Sequence, residues 1–406
     1  MSFEIAMSGI DAVSASLETI SNNIANSGTT GFKSSRANFS SVYAGTEANG
    51  AEVSSQTQSI SKGGGLMNTG RGMDAVIQGR GFFAVKDNSG QMLYTRVGNF
   101  NVDKDGFVVD TQGRKVQGYG MQLDSAGRPI TGAGLGALGD LKVPTGQIAA
   151  QASNKLQFSG NLSSDWSAPA TTTFDQNDPT SFNSSITSVV YDSLGAKHSV
   201  TQYFVKSGSN QVDTHYSFDG ATATAGPTMN FDTQGQLIAP ATPNPPLTVA
   251  AASMNGADPM SLTIDYTGTT QFAGDTTTLA NAANGYPAGT LTGTSLSEDG
   301  SVVATYSNGQ TQNVGTVALA TFANEGALQA VNNTSWMANN NTGAALMAAP
   351  GSAAASKLST GSLEQSNVDM TGELVDLMSA QRTYQANTKV LSAESEMMQT
   401  LMQAIA

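Results

Sequence analysis

The stretches FEIAMSGIDAVSASLETISNNI, residues 3–24, and LVDLMSAQRTYQANTKVLSAESEMMQTLMQAI, residues 374–405, read as one object split between the two ends of the chain. In the first, Phe3, Met7, Ile10, Ser14, Leu17, Ser21 and Ile24 recur at alternating steps of four and three. In the second, Leu374, Leu377, Gln381, Tyr384, Thr388, Leu391, Ser395, Met398, Met402 and Ile405 do the same. This alternation keeps one seam of a helix facing a partner along its whole length. The candidate assembly interface is therefore Phe3, Met7, Ile10, Leu17, Ile20 and Ile24 on one helix. On the other it is Leu374, Leu377, Met378, Tyr384, Leu391, Met398, Leu401, Met402 and Ile405. Pairing of the two ends within one chain would by itself account for both stripes. The polar interruptions at Gln381, Thr388 and Ser395, and the terminal placement, favour burial against neighbours in addition. The expectation is that both ends are loose in the monomer and become ordered by other copies.

Outward from these ends the composition narrows the function. The chain has 406 residues, enough for two or three domains with cores of their own. Only 12% of residues are charged, and the 18 Lys and Arg against 31 Asp and Glu give a net charge of −13. A nucleic-acid surface needs clustered positive charge, and the sequence holds no cluster, so nucleic acid is not an expected partner. There are no cysteines. Disulfides, thiolate-bound zinc and thiol catalysis are therefore excluded. No run approaches about 18 continuous apolar residues, so membrane insertion is not expected. Glu4, Asp11 and Glu18 form an acidic stripe opposite the apolar one. This pattern lacks the basic start and continuous apolar core of a cleaved signal peptide, so any export is expected to remove nothing.

The fold class read from the pattern is mixed and mainly β: a coiled-coil-like pair of terminal helices (1–27 plus 367–406) and two β-rich domains, the second inserted into the first. Gly28 and its Asn-Ser neighbours end the first helix, and Thr371 is the expected cap of the second, with Glu373 in its first turn. Residues 28–70 read as an extended, partly irregular connector with short strands, in which Gly63, Gly64 and Gly65 act as hinge and spacer. The first β-domain takes 71–145 and 289–366, and the inserted outer domain takes 146–288. Runs such as Ala75-Val76-Ile77, Phe82–Val85, Met92–Tyr94 and Phe107–Val109 alternate with a recurring Asp-x-x-Gly turn. The turn occurs at Asp87, Asp103, Asp110, Asp124, Asp192 and Asp232, where Asp caps backbone amides and Gly supplies positive φ. Pro240, Pro243, Pro245 and Pro246 mark a loop. Residues 339–360 read as loop plus weak helix.

Little here points to chemistry. Asp103–Gly106 lacks the acidic series and terminal Glu of a calcium loop. Gly79-Arg80-Gly81 and Gly63–Gly65 do not open a helix after a strand, as a phosphate loop does. His198 and His215 are the only histidines. No Gly-x-Ser-x-Gly elbow occurs. No cofactor, metal or catalytic residue is expected, and the chain does not read as an enzyme.

Ser21-Asn22-Asn23-Ile24-Ala25-Asn26-Ser27-Gly28-Thr29-Thr30-Gly31-Phe32-Lys33 resembles the N-terminal signature of bacterial flagellar rod and hook axial proteins. Ser366-Asn367-Val368-Asp369-Met370, with Met378 through Asn387, resembles the matching C-terminal signature. The motif residues carried over are Asn22, Asn23, Asn26, Gly31, Phe32, Lys33, Asn367, Val368 and Asp369. Gly79–Phe83 and Tyr94–Phe100 are similar to the family's first β-domain. The length, the inserted unit and Ser307–Gln312 look like hook-type members more than the shorter rod-type ones. The resemblance implies a structural subunit exported unfolded through the flagellar type III apparatus. It would polymerise with itself beneath a hook cap into a curved hollow tube, a universal joint outside the cell. Its implied neighbours are the distal rod and the hook-filament junction protein. Some relatives crosslink subunits through a Cys, and with none here that chemistry does not carry over. A straight distal rod subunit, or a secreted β-rich adhesin, are the alternatives.

Overall fold

The protein is described by a computed structural model covering residues 2–44, 47–122, 134–240, 247–249, 255–352 and 356–405. It is mainly β, with one long helix at each end. Two compact units divide it: Met1–Thr145 with Gly293–Thr305 and Thr311–Ala406, and Gly146–Thr292 with Tyr306–Gln310.

In the first unit, α1 (Ser2–Ala25) and α2 (Met370–Ile405) are continuous helices that pack against each other. This differs from the expectation of loose ends. The connector holds strands, as expected, but longer ones than the short strands read from the sequence. Its core is a long antiparallel ribbon of β1 (Ser35–Ala44) and β2 (Glu47–Gln58), with register shifts at Asn38/Phe39 and Ser41/Tyr43. The ribbon lies along α1: Ala51 N–H donates to Ser8 Oγ at 3.2 Å, and Gln56 Nε2 to Thr19 Oγ1 at 3.4 Å. Its sequence is rich in Ser, Ala, Asn, Gln and Thr with scattered Phe39, Val42, Tyr43 and Val53, and lacks the regular apolar alternation that a strand burying one face shows. That is why the length and pairing of these strands are not written in the sequence.

The β-domain of this unit follows from β3 (Leu66–Asn68), β4 (Ala75–Gln78), β5 (Phe82–Lys86) and β6 (Met92–Thr95). Its main sheet runs through 291–296, 301–306, 311–317, 115–120, β5, β6, 335–337 and 329–331. Strands from both sides of the insertion thus close one sheet. Phe82, Tyr94, Phe322 and Trp336 fill its core, with Phe82 and Trp336 rings 5.5 Å apart and Tyr94 and Phe322 4.8 Å apart. Aromatic pairs at such spacing stabilise beyond their buried area. Ile60 joins this core and Trp336 Nε1 donates to Gln58 Oε1 at 2.8 Å, so the base of the ribbon is fixed to the β-domain.

The second unit is a five-stranded antiparallel sheet (184–191, 197–208, 211–218, 224–231, 237–239) and a four-stranded sheet (247–249, 260–265, 155–161, 277–283). Inward residues Phe158, Val200, Phe204, Met229, Leu262 and Tyr266 form its core.

The Asp-x-x-Gly turns behave as their chemistry requires. In the turn at Asp103, the carboxylate accepts the amides of Asp105 and Phe107, and Gly106 takes φ +86°. Those at Asp87, Asp110, Asp192 and Asp232 repeat the pattern. The turn at Asp124 and residues Pro243, Pro245 and Pro246 lie outside the described residues. Residues 339–360 correct another expectation: Leu346–Ala348 and Lys357–Thr360 are strands, because each finds an edge to pair with, 319–321 and β4 respectively.

Candidate assembly interface

The family motif residues meet where α1 ends and α2 begins. Asn23 is buried and bridges three segments: its Nδ2 donates to Ser35 O and to Glu373 Oε1, both at 2.8 Å, and its Oδ1 accepts Ser35 N–H at 2.8 Å. Asn26 closes the helix end on Asn22, with Nδ2–Oδ1 at 2.8 Å. Gly31, at φ +69°, sits where a Cβ would strike Val97, and its N–H donates to Glu364 O. Asn367 mirrors Asn23. Its Oδ1 accepts Ser34 N–H at 2.7 Å, and its Nδ2 donates to Ser59 O and Lys62 O. Its own N–H donates to Phe32 O. Asp369 Oδ1 accepts the Thr371 and Gly372 amides, so Asp369 rather than Thr371 caps α2, its carboxylate matching the positive helix start. Asn22 is exposed, and Phe32 and Val368 are half-buried.

At the centre is a buried charge cluster. Lys33 Nζ lies 2.6 Å from Glu364 Oε1, with the two side chains 0% and 3% exposed. The ammonium also donates to Lys62 O at 2.7 Å, and Gly64 N–H donates to Glu364 Oε1. Arg96 Nε stands 3.3 Å from Glu364 Oε2, close enough for attraction but not aligned as a hydrogen bond, while its two terminal nitrogens donate to Gly81 O and Gly79 O. Burial pulls the Lys33 pKa below its usual value despite the opposing pull of Glu364. Burial likewise lowers Arg96 and raises Glu373, the latter against the Asn23 hydrogen bond. Glu364 was not foreseen, and Arg96 entered only as part of a resemblance. In a chain this poor in charge, an Arg inside an apolar strand run was the available signal. The Gly63–Gly65 segment is held here too: a Cβ on Gly64 would fall 1.8 Å from Gln365 O, and Gln365 N–H donates to Gly65 O.

Beyond this junction α1 and α2 run antiparallel. Asn23 faces Glu373, and a Cβ on Gly9 would touch Asn387. Where α1 meets its own chain its residues are mostly small: Ala6, Ala12, Thr19 and Asn23 are buried, and Gly9 touches α2. Between α1, the ribbon and α2 lies a groove of about 1010 Å³ lined largely by small and polar residues, among them Ser16, Ala37, Ser379 and Thr383. The heptad seam is largely a different face. Phe3, Met7, Leu374, Met378, Tyr384, Met398, Leu401 and Met402 are exposed. Ile10, Leu17, Ile24, Leu377 and Leu391 are half-buried. Ile20 corrects the expectation: it is buried inside its own chain, on the face shared with Thr19 and Asn23. Ile405 is in α2, and its side chain lies outside the described residues. On the ribbon, the facing pair Phe39 and Val53 and the nearby Tyr43 are also exposed. Among the described residues no group of three or more metal-ligating side chains occurs, and no helix is long and apolar enough to cross a membrane.

An apolar seam left open on a helix pair, behind a locked junction, is the layout of a subunit that completes its packing with copies of itself. Known families agree on the class. Residues 3–33 match the flagella basal body rod protein family and 359–404 the C-terminal region of the flagellar basal body rod FlgEFG proteins. Residues 76–159 match the flagellar hook protein FlgE/F/G D1 domain, and 161–286 the flagellar basal body protein FlaE D2 domain. The flagellar hook protein FlgE of Escherichia coli is 35% identical over 99% of both chains. That of Salmonella typhimurium is 36% identical over 99% of both, and that of Treponema pallidum 30% over 98% of this chain and 97% of its own. The chain belongs to the flagellar hook protein family, a structural family rather than one of enzymes. The solved Helicobacter pylori hook protein FlgE2 aligns with TM-score 0.50 over 68% of this chain and 94% of its own. At 13% identity that likeness concerns the fold alone.

Proposed function

We propose that this flagellar component polymerises with itself into the hook, a curved hollow tube that joins rod to filament and bends as it turns. The observation that carries this is the outward seam: a chain whose helices pair through small residues while Phe3, Met7, Tyr384, Met398 and Met402 stay exposed has apolar surface reserved for neighbours. The exposed Phe39–Val53 pair extends that surface onto the ribbon. The weakly charged, Thr- and Asn-rich β-units suit small contacts that break and reform as the tube flexes. The pivot is the segment Gly63–Gly65 together with its partner strand at Glu364 and Gln365, since the glycines are not free of that strand. Export through the flagellar type III apparatus, and contact with the distal rod, the hook cap and the hook-filament junction protein, complete this reading, supported by the resemblance of both ends to the axial family.

The test is electron microscopy of the concentrated, purified chain. Curved hollow tubes are expected. Straight tubes would indicate a rod-type drive shaft instead, and a persistent monomer would overturn self-assembly.

A further inference from the structure

The far end of α2 carries an unusual concentration of sulfur. Met397, Met398 and Met402 are 64%, 61% and 71% exposed within six residues, whereas core methionines such as Met229 and Met260 are almost wholly covered. The helix register adds to the exposure that the outward seam already has. Asn23 stands opposite Glu373, and Gly9 opposite Asn387. The same antiparallel register brings Ser2 level with Glu394, so 395–405 extend beyond the first described residue of α1. At about 1.5 Å per residue this overhang is roughly 16 Å long. Met398 and Met402 lie on the apolar seam, and Met397 flanks it beside Leu401.

We propose that Met397, Met398 and Met402 form a modification site at which a peroxide oxidises the free subunit and prevents it from joining a second copy. The inference rests on the assembly reading above. The thioether is apolar and flexible, fit for packing against an irregular neighbouring surface. A peroxide transfers one oxygen to the sulfur: the O–O bond breaks, sulfur is oxidised by two electrons to the sulfoxide, and the peroxide leaves as water or alcohol. The sulfoxide is polar and a strong hydrogen-bond acceptor, so burying three of them in an apolar seam is unfavourable. Once the subunit is packed, neighbours cover the sulfurs and the site closes. Sensitivity therefore belongs to the subunit before it is added.

The test treats the purified full-length chain with hydrogen peroxide, quantifies sulfoxide at each methionine by peptide mass spectrometry, and measures the critical concentration for tube formation. Oxidation at the three positions should raise that concentration roughly tenfold or more, and methionine sulfoxide reductases should restore it. Tubes treated after assembly should gain less sulfoxide at these positions than free chains. The variant M397L/M398L/M402L has its own threshold, and that threshold should move less on treatment than the parent's, since only Met7 and Met378 of the exposed seam methionines remain. Oxidised chains that assemble at the untreated threshold overturn the proposal, as does a leucine variant that remains equally sensitive. An untreated chain that never assembles overturns the assembly reading, and this proposal with it.

Discussion

Glu364 is the residue on which the junction turns. It balances Lys33 at 2.6 Å, attracts Arg96, and accepts an amide from Gly64, all away from water. Replacing a buried pair with apolar groups can be neutral, but removing one partner strands the other. Glu364→Ala strands two cations, and we expect it to cost about 3–5 kcal/mol in urea unfolding of the full chain. Glu364→Gln should cost less, since the amide still accepts from Lys33 and Gly64. Equal losses in the two variants would mean that the lost charge alone, and not the hydrogen-bond acceptor, sets the cost there. Sequence could not reach this cluster. Lys33 was visible within a family signature, but its partner lies 331 positions away, and no periodicity links them.

The helices were legible at the level of elements because period 3.5 is written in side chains that face one way. What the period did not say is which partner takes which face. The small-residue face, Gly9 with Ala6 and Ala12, went to the chain itself, and most of the apolar seam stayed outside. Leu17 and Leu391 lie at the edge between the two faces, both half-buried. Leu17→Asp or Leu391→Asp should abolish tube formation while leaving the β-units folded, read by sedimentation together with circular dichroism and near-ultraviolet signals. Tubes from either variant would mean the seam is not the contact surface. The ribbon's strands were read only as short ones for the opposite reason: a two-stranded element exposed on much of both faces has no need of alternation. Turns, by contrast, were read correctly where Asp and Gly carry the whole instruction locally.

The second unit brings a pH dependence to the molecule as a whole. His198 Nδ1 lies 2.6 Å from Asp219 and Nε2 3.3 Å from Asp192. Burial disfavours its charge, but the two carboxylates outweigh burial and raise its pKa above the usual 6.5. Its contribution is therefore complete below 6.5 and is lost as pH rises through the raised value. His215, lowered by burial, acts only below 6.5 and with opposite slope, because there the unfolded chain binds more protons. Calorimetric unfolding of the full chain should show the second unit weakening from about pH 7 upward, and His198→Gln should flatten that slope. A slope unchanged by the substitution would point to another group.

The junction also sets a clock. Lys33 and Glu364 are separated by 331 positions, so a chain made or threaded from its N-terminus has no lock until nearly all of it has emerged. At roughly 5–20 residues per second, synthesis leaves the first helix without its anchor for tens of seconds. Joining such distant segments also carries a loop-closure entropy that local hairpins escape. The second unit can close early, but the first β-domain, which draws strands from as far as 362–364, and the two ends cannot, and for that interval the chain remains a thread at both tips.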